Sequence, residues 1–218
     1  LVLIEPEGSL RDDGVDLDRT VLYCDTEFIN ADGQVILRLK PIASPQDTTK
    51  EIILKNIRQN RLGGCSFLVP KSCFAVVGQF NERIRTVSDY DFWYRLLLND
   101  YRFQYVPETL VQGRMHARQV TYRQSELGVQ EFEAFHTWLI SSLFEKEEYR
   151  TPDVFLQLAS SARQRGYRAS SELAMSYARR LMSPIAFHAV APWVRLAGDV
   201  TRVGKQLAKQ LFVKLAIR

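Results

Sequence analysis

Cysteine is scarce in this 218-residue chain: Cys24, Cys65 and Cys73 are the whole complement. The number is odd and no Cys-x-x-Cys spacing or neighbouring histidine accompanies it, which argues against a zinc site or a disulfide framework and fits a reducing cytosolic compartment. Long apolar runs are missing too. None approaches the ~18 residues that a membrane-spanning helix needs. The opening Leu1-Val2-Leu3-Ile4 is too short for a secretory leader and is followed at once by acids. There is no initiator Met, so Leu1 is expected not to be the natural start. Acids are nearly absent from one stretch, 193–218, where Arg195, Arg202, Lys205, Lys209, Lys214 and Arg218 face only Asp199. That stretch alone accounts for the net charge of +4.

What is present is an ordinary globular composition, 46% apolar and 25% charged, long enough for one core with an appendage or for two small domains. Leu1-Val2-Leu3-Ile4 suits a strand buried on both faces of a parallel sheet. It runs straight into Glu5-Pro6-Glu7. Two carboxylates at the carboxyl end of such a strand stand where open α/β sheets bind ligands. Hard oxygen donors there suit Mg²⁺ or Mn²⁺, and a solvated acidic turn is the bland alternative. Asp12-Asp13 is a rival pair that no strand delivers.

Thr20 to Tyr23 reads as a second short strand ending at Cys24-Asp25. Asn30-Ala31-Asp32-Gly33-Gln34 supplies a tight turn between Phe28-Ile29 and Val35-Ile36-Leu37, a hairpin signature. Thr48 or Thr49 is expected to cap a helix bearing Ile52, Ile53 and Ile57. The centre of the chain lies at 60–121. Gly63-Gly64-Cys65-Ser66 feeds the strand Phe67-Leu68-Val69, and Gly78-Gln79-Phe80-Asn81-Glu82 follows. Phe92, Leu96 and Leu97 fall at helical spacing, which puts Asp89 at or just before a helix start, where its carboxylate would accept from free N–H groups. A strand over 103–111 leads to Arg114-Met115-His116, with Arg114 and His116 on one face by alternation.

These motifs, in this order and spacing, resemble the family-2 glycosyltransferases of the GT-A fold over 1–121. The resemblance implies an α/β architecture: a GT-A-like (Rossmann-like) mixed sheet lacking its first nucleotide-binding portion, followed by a helical C-terminal region. It implies a sugar transferred, with inversion, from a nucleotide-diphosphate sugar to a hydroxyl of a saccharide or lipid-linked acceptor, as in cell-envelope or surface polysaccharide synthesis. The family's catalytic base maps onto Asp89, with Ser88 standing where an acid usually precedes it and Asn81 where Phe-Asp-Glu has its Asp. Glu5 and Glu7 would be the counterpart of the family's Asp-x-Asp metal motif, with His116 as third ligand to a divalent Mg or Mn. Arg114 is placed on the diphosphate, and Glu82, Asp25 and Trp93 on the substrate side, although Asp25 also reads as a turn residue and Trp93 as a packing residue. A non-catalytic binding or scaffold protein on a degenerate transferase fold is the alternative.

Three segments are expected: a transferase part at 1–124, a helical region at 125–191 and a basic amphipathic helix at 192–218. In the second, Phe132, Phe135, Leu139 and Leu143 mark one helix. Phe155, Leu158 and Ala162 mark another that Gly166 ends, and Leu173, Ala174, Tyr177, Ala178 and Leu181 mark a third entered through Ser170-Ser171-Glu172. His136 and His188 read as packed or partly exposed residues. In the third segment Pro192 suits a first helical turn, and Leu196, Val200, Val203, Leu207, Leu211 and Leu215 recur at three and four. With Trp193 leading, the pattern reads as a membrane-surface element at 193–218, which would place the protein in the cytoplasm on the inner face of the plasma membrane; a helix packed on the domain, its cations merely solvated, is the alternative. Nucleic acid is not expected as a partner, since no aromatics interleave the cations.

Overall fold

The computed structural model describes residues 16–41, 44, 46–59, 62, 65–115 and 126–216. The chain divides into two compact units, Leu1–Gly128 and Val129–Arg218. Glu5, Glu7 and His116, the expected metal ligands, lie outside the described residues.

The first unit is α/β and is built on one strand. Strand β1, Thr20–Ile29, is rich in β-branched and aromatic residues, which suit a pleated and half-buried surface. It continues through Cys24-Asp25 rather than ending there. Every other described strand pairs with it. β2, Val35–Leu39, is antiparallel to its second half, Thr26 opposite Leu39. β3, Phe67–Leu68, is antiparallel to Leu22 and Tyr23. β4, Arg102–Arg114, runs parallel along its whole length, from Thr20 opposite Arg102 to Ile29 opposite Arg114. Since β4 takes one edge throughout, β2 and β3 must share the other.

The β1–β2 hairpin forms as its turn residues require. The Asn30 carboxamide oxygen accepts from the N–H groups of Asp32 at 3.0 Å and Gln34 at 2.9 Å, and Gly33 holds φ +84°. Helix α1, Thr49–Gln59, opens with a capping box: the Glu51 carboxylate accepts from Thr48 N–H at 2.8 Å, and Thr48 Oγ1 from Glu51 N–H at 3.3 Å. Its Ile52, Ile53 and Ile57 are buried. The short helix α2, Cys73–Val77, stops at Gly78, φ +76°. Helix α3, Ser88–Leu98, carries the core of this unit, with Phe92, Trp93, Tyr94, Leu96 and Leu97 all buried.

The second unit is helical: α4, Glu126–Glu145; α5, Pro152–Arg165; α6, Arg168–Leu181; and α7, Pro184–Ala216. The apolar spacings hold in the packing: Phe135, Leu139 and Leu143 on α4, Phe155, Leu158 and Ala162 on α5, and Ala174 and Ala178 on α6 are buried. Gly166 ends α5 in the left-handed region at φ +86°. Two boundaries differ from the sequence reading. α6 starts at Arg168, so Ser170 and Ser171 lie inside it as buried residues; Ser171 Oγ donates to Ala159 O at 2.9 Å and ties α6 to α5. α7 starts at Pro184 and passes through Pro192 without ending. Among the described residues no helix is long and apolar enough to cross a membrane.

Candidate functional site

Asp89 is the second residue of α3, not its cap. The N-cap is Val87, which offers no side-chain acceptor, and the Asp89 carboxylate accepts from Tyr90 N–H at 2.9 Å. Burial pushes its carboxyl above the ordinary Asp range, against the lowering effect of those backbone N–H groups. A half-buried carboxylate with a raised pKa at the positive end of a helix is a competent proton acceptor.

Two contacts orient α3 against β1. Arg19, just before β1, donates from Nη2 to Asn99 O at 2.8 Å and stacks over Tyr101 at 4.5 Å. The C-terminus of α3 is thereby held at the start of β1, and its first turn lies toward the other end of that strand. Midway, Trp93 stacks on Phe67 at 4.4 Å, and Phe67 pairs with Tyr23. Asp89 stands four residues before Trp93 on the same side of the helix, ~6 Å along its axis.

Asp25 is buried, and Tyr105 Oη donates to its carboxylate. Burial first, and then that bond, raise the Tyr105 phenol to about 12, so it stays a donor at neutral pH. The β1–β4 ladder is broken on both sides of Asp25. Val106 lies opposite Cys24 and Thr109 opposite Asp25, so β4 inserts Pro107 and Glu108; Leu110 is a further insertion before Val111 opposite Thr26. Bulges of this kind bend a strand and re-aim side chains, and they gather beside functional sites. Next along the same face, Glu27 receives Arg38 Nε at 2.8 Å from β2 and Gln112 Nε2 at 3.2 Å from β4. The sheet face thus changes from aromatic (Tyr23, Phe67, Phe103) to a hydrogen-bonded carboxylate row.

The remaining expected residues are scattered. Trp93 is wholly buried between the sheet and α3, so it packs the core and has no surface to offer an acceptor. Arg114 Nη1 donates to the carbonyls of Asn30 at 2.9 Å and Ala31 at 2.8 Å, which locks the hairpin turn. Glu82 is exposed in a turn where Asn81 Oδ1 accepts from Arg83 N–H at 3.1 Å. Among the described residues no group of three His, Cys, Asp or Glu is placed to hold a metal ion.

Sequence reasoning missed the Asp91–Arg95 pair and Tyr105. Arg95 binds the Asp91 carboxylate through Nε at 3.0 Å and Nη2 at 2.8 Å, donates to Gln79 O at 2.8 Å and also reaches Val77 O. Asp91 and Arg95 are four apart on a helix, which was a readable signal. Tyr105 had none, because its partner is 80 residues away.

No family model matches the chain, and no solved structure does. It is similar to an uncharacterized glycosyltransferase of Rickettsia typhi, 25% identical over 161 residues, which cover 72% of this chain and 50% of that protein. An uncharacterized glycosyltransferase of Rickettsia prowazekii is 24% identical over the same shares. A third, of Rickettsia felis, is 24% identical over 178 residues, 79% of this chain and 29% of that protein. The chain spans half or less of the length of these curated relatives. All three are glycosyltransferases by name.

Proposed function

We propose that this chain is part of a family-2 glycosyltransferase with a GT-A-like sheet, working in the cytoplasm. Asp89 takes the proton of an acceptor hydroxyl. The freed oxygen attacks the anomeric carbon of a nucleotide-diphosphate sugar from the face opposite the leaving group. The new C–O bond forms as the bond to diphosphate breaks, and the electron pair leaves on the diphosphate, so the configuration inverts. Asp25, held by Tyr105, and the Glu27 row would receive acceptor hydroxyls, with Glu82 at the outer rim and Arg114 toward the diphosphate. Glu5, Glu7 and His116 would hold the Mg or Mn, which supplies positive charge for the leaving diphosphate. The observation that supports this reading is Asp89 itself: a half-buried carboxylate with a raised pKa, one helical turn from the Trp93–Phe67 stack. Cell-envelope or surface polysaccharide is the corresponding acceptor class.

The test is sugar transfer by the full-length gene product, with a panel of nucleotide-diphosphate sugars. Asp89→Asn is expected to abolish transfer while donor binding, followed by calorimetry, survives. Near-normal turnover would remove Asp89 from the mechanism. The second reading, a non-catalytic protein on a degenerate transferase fold, is favoured by Ser88 in place of an acid and by Arg114 bound to turn carbonyls. Donor binding without transfer by the unaltered protein would select it.

A further inference from the structure

We propose that the outward side of α7 docks on an anionic lipid surface. The opposite side of this helix is committed to its own unit. Phe187 and Ala191 are buried, Asp199 pairs with Arg163 at 2.9 Å, and Arg195 pairs with Glu172 at 2.8 Å. Gly198 lies so close to α5 that an added Cβ would meet Arg163 Cβ at 3.0 Å. These contacts fix the helix rotation. Turned away from them are Trp193, 70% exposed, Leu196 at 55%, Val200 at 63% and Val203 at 49%. Their spacing of three, four and three makes one stripe, and Ile185, 85% exposed, prolongs it at the start of the helix. Most single exposed apolar residues mean nothing, but a contiguous stripe with a Trp on a docked helix marks a surface that something covers.

Charge selects the occupant. Asp199 is the one acid of α7 and is neutralised by Arg163. Over 149–218 twelve Lys and Arg stand against three acids, Asp153, Glu172 and Asp199. A second copy of the chain would bring two such basic segments together, and they would repel. An anionic bilayer attracts them, accepts the apolar stripe below its headgroups and places Trp193 in the interface that indole prefers. This inference does not depend on the transferase reading.

The experiment is co-sedimentation of the chain with vesicles of phosphatidylcholine and phosphatidylglycerol in equal parts, and with phosphatidylcholine alone. Binding is expected to the anionic vesicles only, to weaken at high salt, and to shift Trp emission to the blue. Leu196→Asp with Val200→Asp changes two exposed positions and should weaken partition at least about tenfold. Trp193→Phe should remove the emission shift while leaving the protein bound. Equal binding by the double variant, equal binding to both vesicle types, or no binding at all would overturn the proposal. So would a concentration-dependent dimer in sedimentation equilibrium that the double variant abolishes, without lipid binding.

Discussion

Arg95 grips Asp91 from one turn further along α3, with Nε at 3.0 Å and Nη2 at 2.8 Å from the same carboxylate oxygen. Because the guanidinium also donates to Val77 O and Gln79 O, the pair fastens the Gly78 turn to the helix that carries Asp89. Phe80, in that turn, stacks on Phe92 at 4.4 Å. The pair is mostly buried, so removing one partner leaves the other poorly solvated. Arg95→Met should cost about 2 to 4 kcal/mol in urea denaturation, and Asp91→Asn less, since it keeps an acceptor. A loss below about 0.5 kcal/mol for Arg95→Met would show the turn to be held by its aromatic stack alone.

Asp89 should resist ionisation. Its carboxyl is raised by burial, so the charged form is a liability of the folded state at neutral pH. The unfolded chain gives up that proton first as pH rises from about 4, and stability falls through this window. Asp89→Asn should therefore raise Tm at pH 7, and the gain should shrink toward zero below about pH 4. A lower Tm for the variant at pH 7 would mean that the carboxylate is held by contacts stronger than its desolvation.

His136 works the opposite way. It is buried on α4, donates from Nδ1 to Phe132 O at 2.8 Å, and burial lowers its pKa to about 4. The unfolded chain binds a proton between about pH 6.5 and 4 that the folded unit does not, so stability drops as pH falls through that range. The full effect is on the order of 3 kcal/mol. His136→Phe should flatten this pH slope in guanidinium titrations at pH 7 and pH 4.5. An unchanged slope would assign the acid sensitivity to other groups.

Gly113 is needed for space. An added Cβ would lie 2.9 Å from the Phe28 ring on the neighbouring strand. Gly113→Ala should destabilise the chain by about 1 to 3 kcal/mol. Combined with Phe28→Leu the cost should be less than additive by at least about 0.5 kcal/mol. Strict additivity in that cycle would place the strain elsewhere.

Local chemistry was legible in the sequence. The Asn30 turn, the Thr48 cap and the apolar faces of α4 and α5 depend on residues within four or five positions of one another, and all appear as expected. The apolar spacing puts Asp89 at or just before the helix start; α3 begins one residue earlier, at Ser88, and the carboxylate accepts from a first-turn N–H as expected. Relations set by tertiary packing were not legible. Trp93 reads from the sequence as either a packing or a substrate-side residue, and its stack on Phe67 decides for packing. Pro192 suited a helix start, but α7 begins a full two turns earlier because Phe187 and Ala191 anchor its first part. The bulges opposite Asp25 left no signal except Pro107, and Tyr105 none.

Among the described residues β2, β3 and β4 each pair with β1, which makes β1 the strand on which the sheet assembles. The β1–β2 hairpin closes a loop of about five residues, whereas joining β4 closes one of ~80, at roughly 2 to 3 kcal/mol more in chain entropy. β4 therefore zips on late. The bonds from Tyr105 to Asp25 and from Gln112 to Glu27 both cross that last seam. A half-folded chain thus owns a hairpin but no hydrogen-bonded carboxylate row, which forms only once β4 has docked.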